Sequence, residues 1–136
     1  MNPNFIQHFK GKSILLIDDD ELLTSITGRV LVLMGFNVFS INDPRKIYHI
    51  YKPDVFDVIL LDMKMPYLSG NEVEYIIRKI SPSQKIIIAS GFAENKSPCK
   101  VYLSKPYNTD ELFNVLEKQL GENEEWNEQQ MQKKKG

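Results

Sequence analysis

The chain has 136 residues, 42% of them hydrophobic, and its single cysteine excludes an internal disulfide. Lys and Arg number 17 against 18 for Asp and Glu, so the net charge of -1 excludes a strong overall attraction to nucleic acid or to an anionic membrane. No apolar run approaches the ~20 residues of a membrane-spanning helix. We expect one domain around a single core, in a reducing cytoplasm.

Predicted strands and helices alternate in the first half of the chain. After a polar N-terminal extension over residues 1–11, the continuous apolar run 13–17 predicts a strand buried on both faces. It is followed by a predicted helix at 21–34, a strand at 36–41 and a short helix at 45–51 with Asp43 as N-cap. The apolar residues of the first helix recur every three or four positions, at Leu22, Ile26, Val30, Leu33 and Met34.

The second half continues the alternation until residue 90. Strands are predicted at 55–61, 85–89 and 101–103, and helices at 71–80 and from about residue 109 to Leu120. Residues 91–100 are rich in Gly, Asn, Ser and Pro and indicate a loop. Residues 122–136 are charged and polar, which is typical of a solvated C-terminal tail.

This alternation predicts a parallel sheet with helices on both faces, in which ligands bind beyond the carboxyl ends of the strands. Six polar residues follow the apolar runs of predicted strands: Asp18, Asp19, Asp20, Asp62, Ser90 and Lys105. We therefore expect these residues to converge at one edge of the sheet.

Carboxylates that converge at one edge repel one another unless a cation neutralises them. Oxygen ligands with room for water and phosphate suit Mg2+, and the sequence has no His and Cys cluster for a softer metal. Asp20 has a simpler interpretation as the cap of the following helix, which needs only one such side chain. The sequence therefore favours Asp18 and Asp19 as metal ligands.

Asp62 ends a buried strand, where a carboxylate can act as a nucleophile toward phosphorus when a metal screens the incoming oxygens. Ser90 can offer a hydroxyl to a phosphoryl oxygen. Lys105 can add a positive contact, because phosphoryl transfer depends mainly on positioning and charge neutralisation. The three residues together indicate a phosphoryl-accepting site.

These residues stand in four separated motifs that resemble the receiver domain of two-component response regulators, across residues 12–120. The motifs are Ile14-Leu15-Leu16-Ile17-Asp18-Asp19-Asp20, Leu60-Leu61-Asp62-Met63-Lys64-Met65-Pro66 with Gly70, Ala89-Ser90-Gly91, and Tyr102-Leu103-Ser104-Lys105-Pro106. The resemblance implies a five-stranded, doubly wound α/β fold of the flavodoxin-like type with strand order 2-1-3-4-5. Its expected boundaries are 12–121, as a stand-alone receiver.

The resemblance also implies the role of each residue. Asp62 resembles the phosphoacceptor, and Mg2+ would be held by Asp18, Asp19, Asp62 and the backbone carbonyl of Lys64. Ser90 and Tyr102 resemble the switch residues, Lys105 resembles the lysine of the phosphorylation site, and Lys64 and Phe92 occupy positions that tune the lifetime of the phosphoaspartate. The family implies a histidine kinase or a histidine phosphotransfer protein as donor. We expect a protein as target and no direct binding to nucleic acid or membrane, because the sequence shows neither a DNA-binding domain nor a membrane segment. Such a protein is not an enzyme beyond its own phosphotransfer and autodephosphorylation.

One departure from the family pattern concerns the segment between Ser90 and Lys105. It is shorter than expected by roughly seven residues, or about two helical turns. We therefore expect the fourth helix of the family, which follows the fourth strand, to be shortened or absent.

Two other interpretations are left open by the residues. A pseudo-receiver would use the same fold as an interaction module without phosphorylation. A phosphohydrolase of the haloacid dehalogenase type would instead use Asp18 of Asp18-Asp19-Asp20 as its nucleophile. Comparing substitutions of Asp18 and of Asp62 discriminates the phosphohydrolase from a receiver phosphorylated on Asp62, because the phosphohydrolase needs the first-strand carboxylate as its covalent site.

Overall fold

The computed structural model describes residues 3–91, 97 and 100–121, and a parallel sheet of five strands lies at its centre. The strands are β1 (Ser13–Ile17), β2 (Asn37–Ile41), β3 (Val58–Asp62), β4 (Ile86–Ser90) and β5 (Val101–Ser104). Their order is β2-β1-β3-β4-β5, and every neighbouring pair is parallel. The predicted flavodoxin-like order 2-1-3-4-5 is therefore confirmed.

In the described part of the chain, four helices connect or follow these strands: α1 (Glu21–Leu33), α2 (Ile47–Ile50), α3 (Gly70–Ile80) and α4 (Thr109–Leu120). Short 3-10 turns occur at Pro3–Phe5 and Pro44–Lys46. The described residues between β4 and β5 form no helix, and residues 92–96, 98 and 99 of that segment lie outside the description, as does the predicted tail at 122–136. Among the described helices, none has the length and apolar character needed to cross a bilayer.

The two faces of the sheet carry separate hydrophobic clusters because strand side chains alternate between faces. Ile14 and Leu16 of β1 point into a first cluster with α1 and α4, whereas Leu15 and Ile17 point into a second cluster with α2 and α3. The central strand β3 is buried along its whole length, as expected for a parallel strand covered on both sides. This packing fixes the strand ends that carry the polar residues.

The orientation of α1 differs from the one its apolar residues indicate. Leu22 and Ile26 are 72% and 54% exposed, whereas the buried face of the helix carries Thr24, Thr27 and Leu31. The threonines are accommodated because they form hydrogen bonds: Thr24 Oγ1 donates to the Asp20 carbonyl at 2.8 Å, and Thr27 bonds to Tyr107. These polar contacts, one of them to a residue 80 positions away, therefore stabilise this rotation of the helix.

The N-terminal extension contributes to the first cluster. Phe5 and Phe9 are 3% and 2% exposed; Phe5 stacks on Phe113 with ring centroids 4.3 Å apart, and Phe9 stacks on Phe36 at 4.8 Å. The backbone N–H of Phe9 donates to the carbonyl of Met34 at 2.8 Å. The segment therefore closes the end of the core next to the C-terminus of α1.

Replacement of Phe9 by alanine should destabilise the fold by about 3 to 5 kcal/mol, because it empties a filled aromatic site. The matched change Ile6→Ala, at a side chain that is 47% exposed, should alter stability by only about 0.5 kcal/mol. Urea denaturation followed by circular dichroism measures both. Equal stabilities for the two variants would show that the extension does not belong to the core.

Candidate functional site

The carboxyl ends of β1, β3 and β5 bring a cation and three carboxylates together. Carboxylate oxygens of Asp18, Asp19 and Asp62 lie within 4.8 Å of one another. The Lys105 ammonium lies 2.8 Å from Asp62 Oδ1 and 3.2 Å from Asp18 Oδ2. The structure thus joins four residues that the sequence separates by more than eighty positions.

The charges in this cluster are strongly coupled. Burial raises the pKa of Asp62, and the nearby Asp18 and Asp19 add to the rise, while the hydrogen bond from Lys105 opposes it without cancelling it. Burial also pulls the pKa of Lys105 down, but its contacts with Asp62 and Asp18 outweigh this effect, so its pKa is raised. Lys105 is therefore a permanent cation beside an acceptor carboxylate whose ionisation is unfavourable without further positive charge.

Asp18 is held by a network that includes two residues not singled out in the sequence. The Asn42 side chain donates to the Asp18 carbonyl at 2.8 Å and to Thr24 Oγ1 at 3.1 Å. Asn42 directly follows β2, so the rule of strand ends could have identified it. Asp20 accepts from the Leu23 backbone at 3.0 Å as the N-cap of α1, which confirms the capping interpretation.

A close backbone contact fixes the Asp62 end of β3. A side chain at Gly70, the first residue of α3, would place its Cβ 2.6 Å from the Asp62 carbonyl oxygen and 2.8 Å from Met63 Cα. The Gly70 N–H donates to the Met63 carbonyl at 2.8 Å. Glycine is therefore required here for α3 to approach the strand end, and Ser69 begins the helix with a capping box formed with Glu72.

Ser90 ends β4 beside the acidic cluster. Its side chain is 1% exposed, and its hydroxyl has no hydrogen-bond partner among the residues that the structure describes. Its carbonyl accepts from the Lys105 N–H at 2.8 Å, and the peptide bond between Lys105 and Pro106 is cis. A buried hydroxyl without a partner is unfavourable, so this atom is suited to accept or donate a bond to a bound group.

The remaining predicted site residues lie around this centre. Lys64 is exposed in the segment after β3, and Phe92 lies outside the described residues. Tyr102 is half-buried on β5, packs against the second cluster, and accepts a hydrogen bond at its hydroxyl from the Ser97 N–H at 2.9 Å. Lys100, just before β5, contacts Glu74 and Asn71 of α3, each at 2.8 Å. The described part of the β4–β5 connection is therefore anchored to α3 and to Tyr102.

The fold agrees with a comparison against family models, in which the response regulator receiver domain matches residues 14–117. The chain belongs to this receiver family. Among known proteins, the receiver protein CpdR of Brucella abortus is 31% identical over 117 residues, which cover 80% of this chain and 97% of CpdR. Other matching proteins are much longer than this chain. At 25% identity, the match spans only 15% of the autoinducer 1 sensor kinase/phosphatase LuxN of Vibrio campbellii.

Solved structures of receiver domains support the same assignment. A CheY-like receiver protein from Methanospirillum hungatei has a TM-score of 0.75 and 26% identity, covering 84% of this chain and 97% of that one. The response regulator TrrA of Thermotoga maritima, solved with Mg(2+)-BeF, has a TM-score of 0.73 and 27% identity, covering 80% and 99%. Both share the receiver fold across nearly their whole length.

Because burial raises the pKa of Asp62, ionisation of this carboxyl lowers the free energy of unfolding of the receiver, which is a stability penalty. This penalty is absent below the unfolded pKa of about 3.9 and grows as the pH rises toward the folded value. Asp62→Asn should therefore raise the melting temperature at pH 7 in the presence of a chelator, by a margin that shrinks toward pH 4. Asp110→Asn, at an exposed position of α4, is the matched control and should give no gain. A melting temperature for Asp62→Asn equal to or below wild type at pH 7 would contradict the assigned burial effect.

Proposed function

We propose that this receiver domain accepts a phosphoryl group on Asp62 from a histidine kinase or a histidine phosphotransfer protein, and acts as a phosphorylation switch or relay in signal transduction. The observation that carries the proposal is the placement of Lys105, whose ammonium lies 2.8 Å from the Asp62 carboxylate and 3.2 Å from that of Asp18. A pseudo-receiver without phosphorylation would have no need of this arrangement.

The acidic cluster fits Mg2+ because its donors are all oxygen atoms from carboxylates that already converge. Asp18, Asp19 and Asp62 would hold the ion, and the backbone carbonyl of Lys64 completes the proposed set. When bound, Mg2+ supplies positive charge that neutralises the transferred phosphoryl oxygens. Its charge would also favour the ionised form of Asp62, whose pKa is raised by burial and further by the nearby Asp18 and Asp19.

In the proposed transfer, an Asp62 carboxylate oxygen forms a bond to phosphorus while the bond between phosphorus and the donor imidazole nitrogen breaks. The imidazole leaves with the electron pair and takes a proton from solvent. Lys105 donates a charge-assisted hydrogen bond to a phosphoryl oxygen, and Ser90 Oγ, which has no partner among the described residues, donates another. Both side chains act mainly by positioning and charge.

The remaining roles follow from the same proposal. The Ser90 hydroxyl would contact the phosphoryl group. Tyr102 would respond through the hydrogen bond that its hydroxyl accepts from the Ser97 N–H. Lys64 and Phe92, two residues after Asp62 and Ser90, would tune the lifetime of the phosphoaspartate. TrrA, which shares 27% identity with this chain, was solved both with Mg(2+)-BeF and with the histidine kinase ThkA, and these properties of a relative lend support to the donor and the metal.

Incubation with Mg2+ and acetyl phosphate, followed by intact-mass spectrometry, tests the proposal. Wild type should gain the mass of one phosphoryl group, and Asp62→Asn should gain none. Asp20→Asn is the matched control: it removes a carboxylate at the same edge, yet asparagine also caps helices, so this variant should be modified like wild type.

Two outcomes would overturn the proposal. An unmodified wild-type protein, under conditions in which a known receiver reacts, would favour the pseudo-receiver. Loss of modification in Asp18→Asn together with full modification of Asp62→Asn would place the nucleophile at Asp18, directly after β1, as a dehalogenase-like phosphohydrolase requires.

A further inference from the structure

Tyr107 lies beside the site but has no part in the transfer described above. It follows Lys105 by two positions in the segment between β5 and α4, and its ring packs against the first hydrophobic cluster. Its hydroxyl lies 3.3 Å from Thr27 Oγ1 on α1. The two hydroxyls form a long hydrogen bond that joins the Lys105 segment to α1.

Thr27 has a polar side chain on the buried face of α1 and is only 6% exposed. A hydroxyl at such a position is unfavourable unless it has a hydrogen-bond partner, and Tyr107 provides one. Thr27 lies about one turn after Thr24, whose hydroxyl contacts the Asp18 carbonyl at 3.4 Å. The same helix face therefore contacts both the Asp18 segment and the Lys105 segment.

A small cavity connects these groups. It has a volume of about 10 Å³, and its polar lining consists of Asp18, Thr24, Thr27, Asp62 and Tyr107. This is about the volume that one water molecule requires, so the groups around it have little room to shift. The hydroxyls of Thr27 and Tyr107 therefore line the same small cavity as the two carboxylates that contact Lys105, those of Asp18 and Asp62.

We propose that Tyr107 is a positioning residue for phosphoryl acceptance by Asp62. Its hydroxyl, bonded to Thr27, holds the segment from Lys105 to Tyr107 against α1 and keeps the Lys105 ammonium between Asp62 and Asp18. Because Thr24 contacts Asp18 from the same helix, α1 serves as the common support for the carboxylate and for the cation. The proposal rests on the proposed function of Asp62 and adds a residue that acts through Lys105.

The test compares the initial rate of modification by acetyl phosphate at saturating Mg2+ in Tyr107→Phe, Thr27→Val and the double variant. Tyr51→Phe is the matched control, because it removes another tyrosine hydroxyl, which donates to Gln84 Oε1 at 2.7 Å in the second cluster. Each single change in the pair should lower the rate about three- to tenfold, the typical value of one hydrogen bond. The double variant should be no slower than the singles, and Tyr51→Phe should match wild type.

The Lys105→Ala background separates positioning from a general loss of structure. If Tyr107 acts through Lys105, Tyr107→Phe should have no further effect on the rate in this background. An undiminished effect there, additive effects of Thr27→Val and Tyr107→Phe, or a wild-type rate for Tyr107→Phe would each overturn the inference. These results leave the proposed function intact as long as wild type is modified, whereas an unmodified wild type removes both.

Discussion

The ammonium group of Lys105 lies between two carboxylates that would otherwise repel each other, and the organisation of the site depends on this contact. Asp62 stands at the end of a strand that is buried along its whole length, where ionisation is unfavourable, and Asp18 adds a second negative charge nearby. Lys105 offsets part of this repulsion, yet the pKa of Asp62 remains raised. The single ammonium of Lys105 therefore does not fully offset the negative charge of the carboxylates at this site, and a divalent cation would supply further positive charge.

The positions of these charges follow from the backbone rather than from the charges themselves. Parallel pairing aligns the ends of β1, β3 and β4, and the hydrogen bond from the Lys105 N–H to the Ser90 carbonyl continues the pairing of β4 with β5 beyond its last strand residues. Gly70 lets α3 approach the end of β3. The hydrophobic clusters on both faces keep the strands in register, so core packing and site geometry are parts of the same arrangement.

The alternation of strands and helices and the positions of the strand-end residues could be predicted because period and length agreed along the chain, whereas the strand order was implied by the resemblance to receiver domains. The rotation of α1 could not, because its apolar residues Leu22 and Ile26 face solvent while Thr24 and Thr27 are buried by hydrogen bonds to distant groups. The burial of Phe5 and Phe9 in the core could not be predicted either, because both stand in a segment that is otherwise polar. Both depend on tertiary contacts that a periodic pattern does not encode. Asn42, in contrast, directly follows a predicted strand, so the rule that ligands bind beyond the carboxyl ends of strands could have identified it.

The central claim, that Asp62 is the phosphoryl acceptor, is tested most directly by a crystal structure of the chain with Mg2+ and beryllofluoride. The account predicts a fluoroberyllate on an Asp62 carboxylate oxygen, with Lys105 and Ser90 Oγ in contact with its fluorines and Mg2+ on Asp18, Asp19 and Asp62. A fluoroberyllate on Asp18, or an acidic edge that binds neither group at saturating concentrations, would contradict it.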